Sequence, residues 1–183
     1  HDGGLPVSVH GPLRGGAVTI DATTSSQFIS ALMMIGPVLP EGLHITLQGR
    51  PISQPYVNLT ASVMELFGVT ADISQGSIRI APQEYSATSI TIEPDASSAS
   101  YPLAIAAATG STVTIEDFGS SSLQGDKQII DILRTMNADI DCTPHSTTLT
   151  SNGNDLKGID IDMSDISDLV PTVAALALSL IHI

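Results

Sequence analysis

Basic residues are scarce in this chain. Six Lys and Arg stand against 19 Asp and Glu in 183 residues, a formal net charge of −13. Nucleic acids and anionic membranes are held by clustered Lys and Arg. Arg14, Arg50, Arg79, Lys127, Arg134 and Lys157 are scattered instead, which argues against both as partners. Cysteine is nearly absent too. Cys142 alone excludes an internal disulfide framework and a Cys-based zinc cage, and fits a reducing compartment. On a β-run, Cys142 is expected to be buried and inert. His10, His44 and His145 are isolated, so no pair has metal-ligand spacing. No apolar run approaches the roughly 20 residues that span a bilayer. There is no initiator Met, and His1-Asp2-Gly3-Gly4 resembles neither a signal nor a transit peptide. The apolar helix expected from Val170 to Ile183 has no cap and no following strand. Both ends are therefore expected to be cut.

What is present is ample apolar material, 42% of residues, enough for a substantial core in one domain or two small ones. Periodicity predicts a strand over Ala17–Asp21 and a helix over Ser25–Leu39, with Phe28, Leu32, Ile35 and Leu39 at helical spacing before Pro40-Glu41-Gly42 stops it. A strand over Leu43–Gln48 and a helix over Pro55–Phe67 follow, the helix with Val57, Met64 and Phe67 inward and Gly68 closing it. Val69–Ser74 and Ser77–Ala81 read as a hairpin across Gln75-Gly76.

The same order then recurs. Ser89–Glu93 reads as strand, Ser98–Thr109 as helix, Thr112–Asp117 as strand, Asp126–Met136 as helix, and Asp139–Cys142 with Thr147–Thr150 as the closing pair. One fixed step along the chain lays Thr19-Ile20-Asp21 on Thr91-Ile92-Glu93 and Ser25-Ser26 on Ser97-Ser98. A third unit opens at Ile159–Asp162. A step nearly twice as long carries Asp21 to Asp162, Ser26 to Ser167 and Gln27 to Asp168. A period of about 70 residues exceeds that of ordinary solenoids, so each unit is expected to be a small α/β layer, with stacked helices forming a shared core.

Ser25-Ser26-Gln27-Phe28 with Ala31–Met34, Ser53-Gln54-Pro55-Tyr56, Asp95–Tyr101, Gln124-Gly125-Asp126, and Asp162-Met163 ahead of Asp168 resemble the 5-enolpyruvylshikimate-3-phosphate synthase family, in order and along nearly the whole chain. The resemblance implies repeated βαβαββ units of the enolpyruvyl transferase fold, an inside-out α/β barrel in two domains that close on substrates held between them. Residues 1–93 would be part of the first domain and 94–183 part of the second. The chain would then be an internal fragment. Ser179–Ile183 departs from the family's alanine-rich continuation and reads as non-native. The activity implied is transfer of the enolpyruvyl group of phosphoenolpyruvate to the 5-hydroxyl of shikimate 3-phosphate, through a tetrahedral intermediate, with release of phosphate. Neither metal nor organic cofactor is implied. A monomer is expected at full length, in the cytoplasm, or in a plastid for a photosynthetic eukaryote.

By the same resemblance, Ser25, Ser26 and Ser53 would hold the 3-phosphate, Gln27 would bridge the shikimate ring and phosphoenolpyruvate, Tyr56 would line the pocket, and Asp168 would be the catalytic base. Physical chemistry supports the first assignment, since Ser25 and Ser26 sit at a helix N-terminus, whose N–H groups and dipole favour anions. Each residue has a plainer alternative. The serines could be ordinary caps, Tyr56 a packing residue, and Asp168 the N-cap of the last helix. Ser97, Ser98 and Asp126 read as structural. Asp160, Asp162 and Asp165 lack the glycine and terminal glutamate of an EF-hand and read as a solvated turn. The family's substrate-gripping Lys and Arg have no counterparts here, so the isolated chain is expected to be inactive and blind to glyphosate, an inhibitor of the family. Two alternatives stand beside this reading: the sister transferase acting on UDP-N-acetylglucosamine, and a non-catalytic α/β repeat module.

Overall fold

The computed structural model describes residues 7–49, 53–152 and 156–181. Arg50 and the terminal segments His1–Gly4 and His182-Ile183 lie outside them. The first unit is β1 (Gly16–Asp21), α1 (Ser26–Ile35), β2 (Leu43–Gln48), α2 (Gln54–Leu66), β3 (Asp72–Ser74) and β4 (Ser77–Ile80). Its sheet runs β1-β2-β4-β3. β1 and β2 are parallel, with Gly16 opposite Leu43 and Asp21 opposite Gln48, because α1 carries the chain back across the sheet. The other pairs are antiparallel, and β3 joins β4 through the expected two-residue turn, with Gly76 at a φ of 80°. Gly68 follows α2 at a φ of 81°, and Val69 N–H donates to the Met64 carbonyl across it, a glycine stop of the kind the sequence predicts.

The second half holds α3 (Ala96–Thr109), β5 (Thr112–Glu116), α4 (Ile129–Thr135), β6 (Asp139–Cys142), β7 (Ser146–Thr150) and α5 (Val170–Ile181). Its antiparallel sheet runs β5-β7-β6. The expected strand at Ser89–Glu93 is not formed, nor is the one at Ile159–Asp162. A β-like run becomes a strand only where a neighbour completes its hydrogen-bond ladder. β1 has β2 for this purpose, whereas Ser89–Glu93 joins neither sheet and leaves Ile92 82% exposed. Ile159 instead rests against the second core.

Two apolar clusters take the place of the single shared core expected from stacking. One gathers Ile29, Met33, Ile45, Val57, Met64 and Ile78 around the first sheet. The other gathers Leu103, Phe118, Ile129, Leu133, Leu149, Ile166 and Leu169 around the second. Helices stack across units where α3 meets α5, joined by a buried 2.9 Å hydrogen bond between the Ser100 and Thr172 hydroxyls. Cys142 is half-buried rather than buried, at the rim of the second cluster.

Three helix expectations shift in detail. α1 ends at Ile35, and Gly36–Val38 tightens into a 3-10 turn, because Pro37 has no N–H to continue the ladder. Its buried face is Ser26, Ile29 and Met33, while Phe28 is 57% exposed. A helix apolar on most sides does not declare its inward face by spacing alone. α3 starts two residues earlier than expected because Asp95 caps it. α4 is preceded by a 3-10 turn over Gly125–Gln128, which begins the segment read as one helix.

Candidate active site

Six residues singled out in the sequence line one cleft of about 530 Å³: Ser25, Ser26, Gln27, Ser53, Tyr56 and Asp168. They arrive from three directions. β1 delivers the chain to α1 through Asp21, whose Oδ1 accepts from Thr23 N–H (2.9 Å) and Thr23 Oγ1 (2.6 Å). These bonds hold the Asp21 carboxyl below its ordinary pKa. Ser25 then caps α1, its Oγ accepting from Gln27 N–H at 3.1 Å. The remaining first-turn N–H groups have no carbonyl one turn back to bond, which leaves positive potential at the cleft floor. Ser26 is buried there and Gln27 is exposed.

Ser53 enters from the start of α2 with a left-handed backbone, φ 56° and ψ 48°, a conformation that costs a non-glycine residue about 1–3 kcal/mol. It is buried and makes no cap of its own. Tyr56 follows one turn on, with Thr60 bonding both the Tyr56 carbonyl and the Ser30 hydroxyl at 2.8 Å.

Asp168 comes from the other half. Asp162 Oδ1 accepts from Ser164 N–H (2.9 Å) and Ser164 Oγ (2.6 Å), the same turn with the same distances as Asp21 and Thr23. The third repeat is thus geometric as well as sequential. A 3-10 turn over Ser167–Leu169 replaces the first turn of α1. Asp168 is exposed on it and lines the cleft, and Ser167 Oγ donates to its Oδ1 at 3.5 Å. Tyr56 Oη donates to Asp168 Oδ2 at 3.0 Å, between residues distant in the chain. Burial, then this bond and the charges of Asp126 and Asp168, push the Tyr56 phenol well above its ordinary pKa, so it stays a donor.

The Gln124-Gly125-Asp126 turn seats the two halves against each other. Gln124 Nε2 donates to the Pro94 carbonyl at 2.7 Å while its Oε1 accepts from Ala96 N–H at 2.8 Å. Gly125 lies so close to Pro55 that a Cβ there would come within 2.5 Å of the proline ring. Asp126 accepts from the Ser97 hydroxyl. Sequence reasoning gives this turn a structural role but not its place beneath the cleft. Thr24, Ser30 and Ser167 also line the cleft without having been singled out, although the repeat that lays Ser26 on Ser167 points to the last of them. No Lys or Arg is among the described lining residues.

The family model for EPSP synthase (3-phosphoshikimate 1-carboxyvinyltransferase) matches residues 1–180. A 3-phosphoshikimate 1-carboxyvinyltransferase of Methanothermobacter thermautotrophicus is 42% identical over 171 residues, covering 93% of this chain and 40% of the relative. The corresponding protein of Methanosphaera stadtmanae is 41% identical, with 96% and 42% covered. Among solved structures, EPSP synthase from Acinetobacter baumannii superposes with a TM-score of 0.64 at 21% identity, over 90% of this chain and 38% of that one. This chain therefore spans about two fifths of the length of the relatives it matches.

Proposed function

Because the chain belongs to the EPSP synthase family, we propose that its cleft is the shikimate 3-phosphate side of an enolpyruvyl transferase site. The observation that carries the reading is convergence: four residues at the two helix starts of the first half meet Tyr56, and Tyr56 is bonded to Asp168 of the second half. In this reading residues 1–93 and 94–183 are parts of two domains. Ser25, Ser26 and Ser53 bind the 3-phosphate with hydroxyls and first-turn N–H groups. Gln27, which carries both a donor and an acceptor, spans the ring and phosphoenolpyruvate. Asp168 orients the 5-hydroxyl and takes its proton as the oxygen attacks the enolpyruvyl carbon. The methylene carbon gains a proton in that addition and loses one again as the tetrahedral adduct expels phosphate, which restores the double bond. The Tyr56 phenol donates to Oδ2 of Asp168 at 3.0 Å and the Ser167 hydroxyl to Oδ1 at 3.5 Å, and the two bonds orient the carboxylate. The full-length enzyme acts as a cytoplasmic monomer. The names of the matched relatives support shikimate 3-phosphate over a UDP-sugar.

Two anionic substrates cannot be held tightly by hydroxyls and amides alone in a chain of net charge −13. The 183 residues by themselves are expected to show no turnover. The decisive measurement is calorimetric titration of shikimate 3-phosphate into a full-length enzyme carrying this segment. Asp168→Asn should retain binding and lower turnover by about 10²- to 10⁴-fold. Absence of binding by the unsubstituted enzyme would sink the proposal.

A further inference from the structure

Two hydroxyl residues of the cleft have no part in the proposed chemistry. Ser30 on α1 and Thr60 on α2 both line it, half-buried, each four residues beyond a residue that the functional reading uses: Ser30 beyond Ser26, and Thr60 beyond Tyr56. Residues four apart share one face of a helix, a turn apart. The pair therefore sits one turn below both helix starts.

Thr60 Oγ1 donates to the Tyr56 carbonyl and to Ser30 Oγ, both at 2.8 Å, so one hydroxyl proton is shared between two acceptors. The oxygen is held from its own helix and from the neighbouring one at once. α1 and α2 also share the first core through Ile29, Met33, Val57 and Met64, but apolar contact is non-directional and leaves the helices free to slide or turn by small amounts. A short hydrogen bond fixes one point on each. On the far side of the same residue, Tyr56 Oη donates to Asp168 Oδ2 at 3.0 Å. A connected path thus runs from α1 through Thr60 and Tyr56 to the second half.

We propose that Ser30 and Thr60 are positioning residues whose bond clasps α1 to α2 and so sets the distance between the anion-binding start of α1 and the Tyr56–Asp168 pair. The inference rests on the reading of that start as the phosphate site and of Asp168 as the base. It deepens that reading by assigning what holds the two in register.

Valine keeps the shape of threonine without the hydroxyl, and serine keeps the hydroxyl without the methyl. In the full-length enzyme, Thr60→Val should lower kcat on the order of 10- to 100-fold with little change in KM for shikimate 3-phosphate, since a small misplacement costs rate more than binding. Thr60→Ser should restore most of that rate. Ser30→Ala should match Thr60→Val, and the double variant should be no worse than either, because residues joined in one bond do not add. In the 183-residue chain, carbon-13 NMR of the Tyr56 ring tests the clasp without any need for activity. Thr60→Val should move the Tyr56 Cζ signal toward the position it takes in Asp168→Ala, where the phenol has lost its acceptor, and Thr60→Ser should return it. A loss carried by KM alone, a Ser variant as impaired as the Val variant, additive losses in the double variant, or a Tyr56 signal indifferent to Thr60 would each overturn the inference. If the unsubstituted enzyme binds no shikimate 3-phosphate, the functional reading falls, and the Tyr56 signal alone decides the clasp.

Discussion

The starts of α1 and α3 occupy the same place in the repeat and have been finished in opposite ways. Ser25 caps α1 with a neutral hydroxyl that satisfies one N–H and leaves the rest of the first turn facing the cleft. Asp95 caps α3 with a carboxylate that accepts from Ser97 N–H, Ser98 N–H and Ser98 Oγ. The second start therefore carries its own anion and has little use for another. An identical serine pair means different things depending on whether the cap of its helix is neutral or charged. The contrast also separates the two by pH, since a hydroxyl cap does not titrate and a carboxylate cap does.

Converting one start into the other breaks the comparison most sharply. Asp is as good an N-cap as Ser, so Ser25→Asp should leave thermal stability nearly unchanged. It should weaken shikimate 3-phosphate binding in the full-length enzyme on the order of 100- to 1000-fold. A like charge about 4 Å from the phosphate costs about 4 kcal/mol near a protein surface. Calorimetry would read both quantities, and retained affinity would mean that the phosphate lies elsewhere. Gly125→Ala comes next. The added Cβ would strike Pro55, so chemical denaturation should show a loss of about 1–3 kcal/mol, the usual cost of overpacking. Tyr56–Asp168 contact should weaken with it.

Asp95→Ala should cost about 1 kcal/mol, the typical value of a lost cap. Its pH dependence is specific. The Ser98 hydroxyl and the Ser98 and Ser97 N–H groups hold the Asp95 carboxyl below its ordinary pKa. The stabilisation is therefore present above the unfolded value of about 3.9 and disappears as pH falls through the lower folded value. The wild-type advantage over Asp95→Ala should shrink in acid, whereas that over Ser25→Ala should not.

Much of the first unit was legible in the chain because its determinants are local. The Gln75-Gly76 turn, the stop at Gly68, and the strand Leu43–Gln48 depend on residues next to them. Ser89–Glu93 has equal strand character, but its fate depends on a ladder partner elsewhere, which no local pattern specifies. The cleft residues were readable only through the resemblance, since a serine pair before an apolar helix is ordinarily a cap. Asp126 reads as structural in the sequence, but nothing in Gln124-Gly125-Asp126 announces that this turn will be pressed against Pro55 and Ser97.

The two cores are joined by a single passage of chain. Ser86 still bonds the first half through the Phe67 carbonyl, and Pro94 is already held by Gln124 of the second. Between those anchors the backbone is a tether, and the Tyr56–Asp168 bond with the Pro55–Gly125 contact forms a latch. A ligand that touches both Ser25 and Asp168 would add its own binding energy to that latch, about 2.7 kcal/mol at a hundredfold excess over its dissociation constant. The substrate would then act as a mechanical rivet between the two halves, and resistance of the tether to proteolysis would report its occupancy.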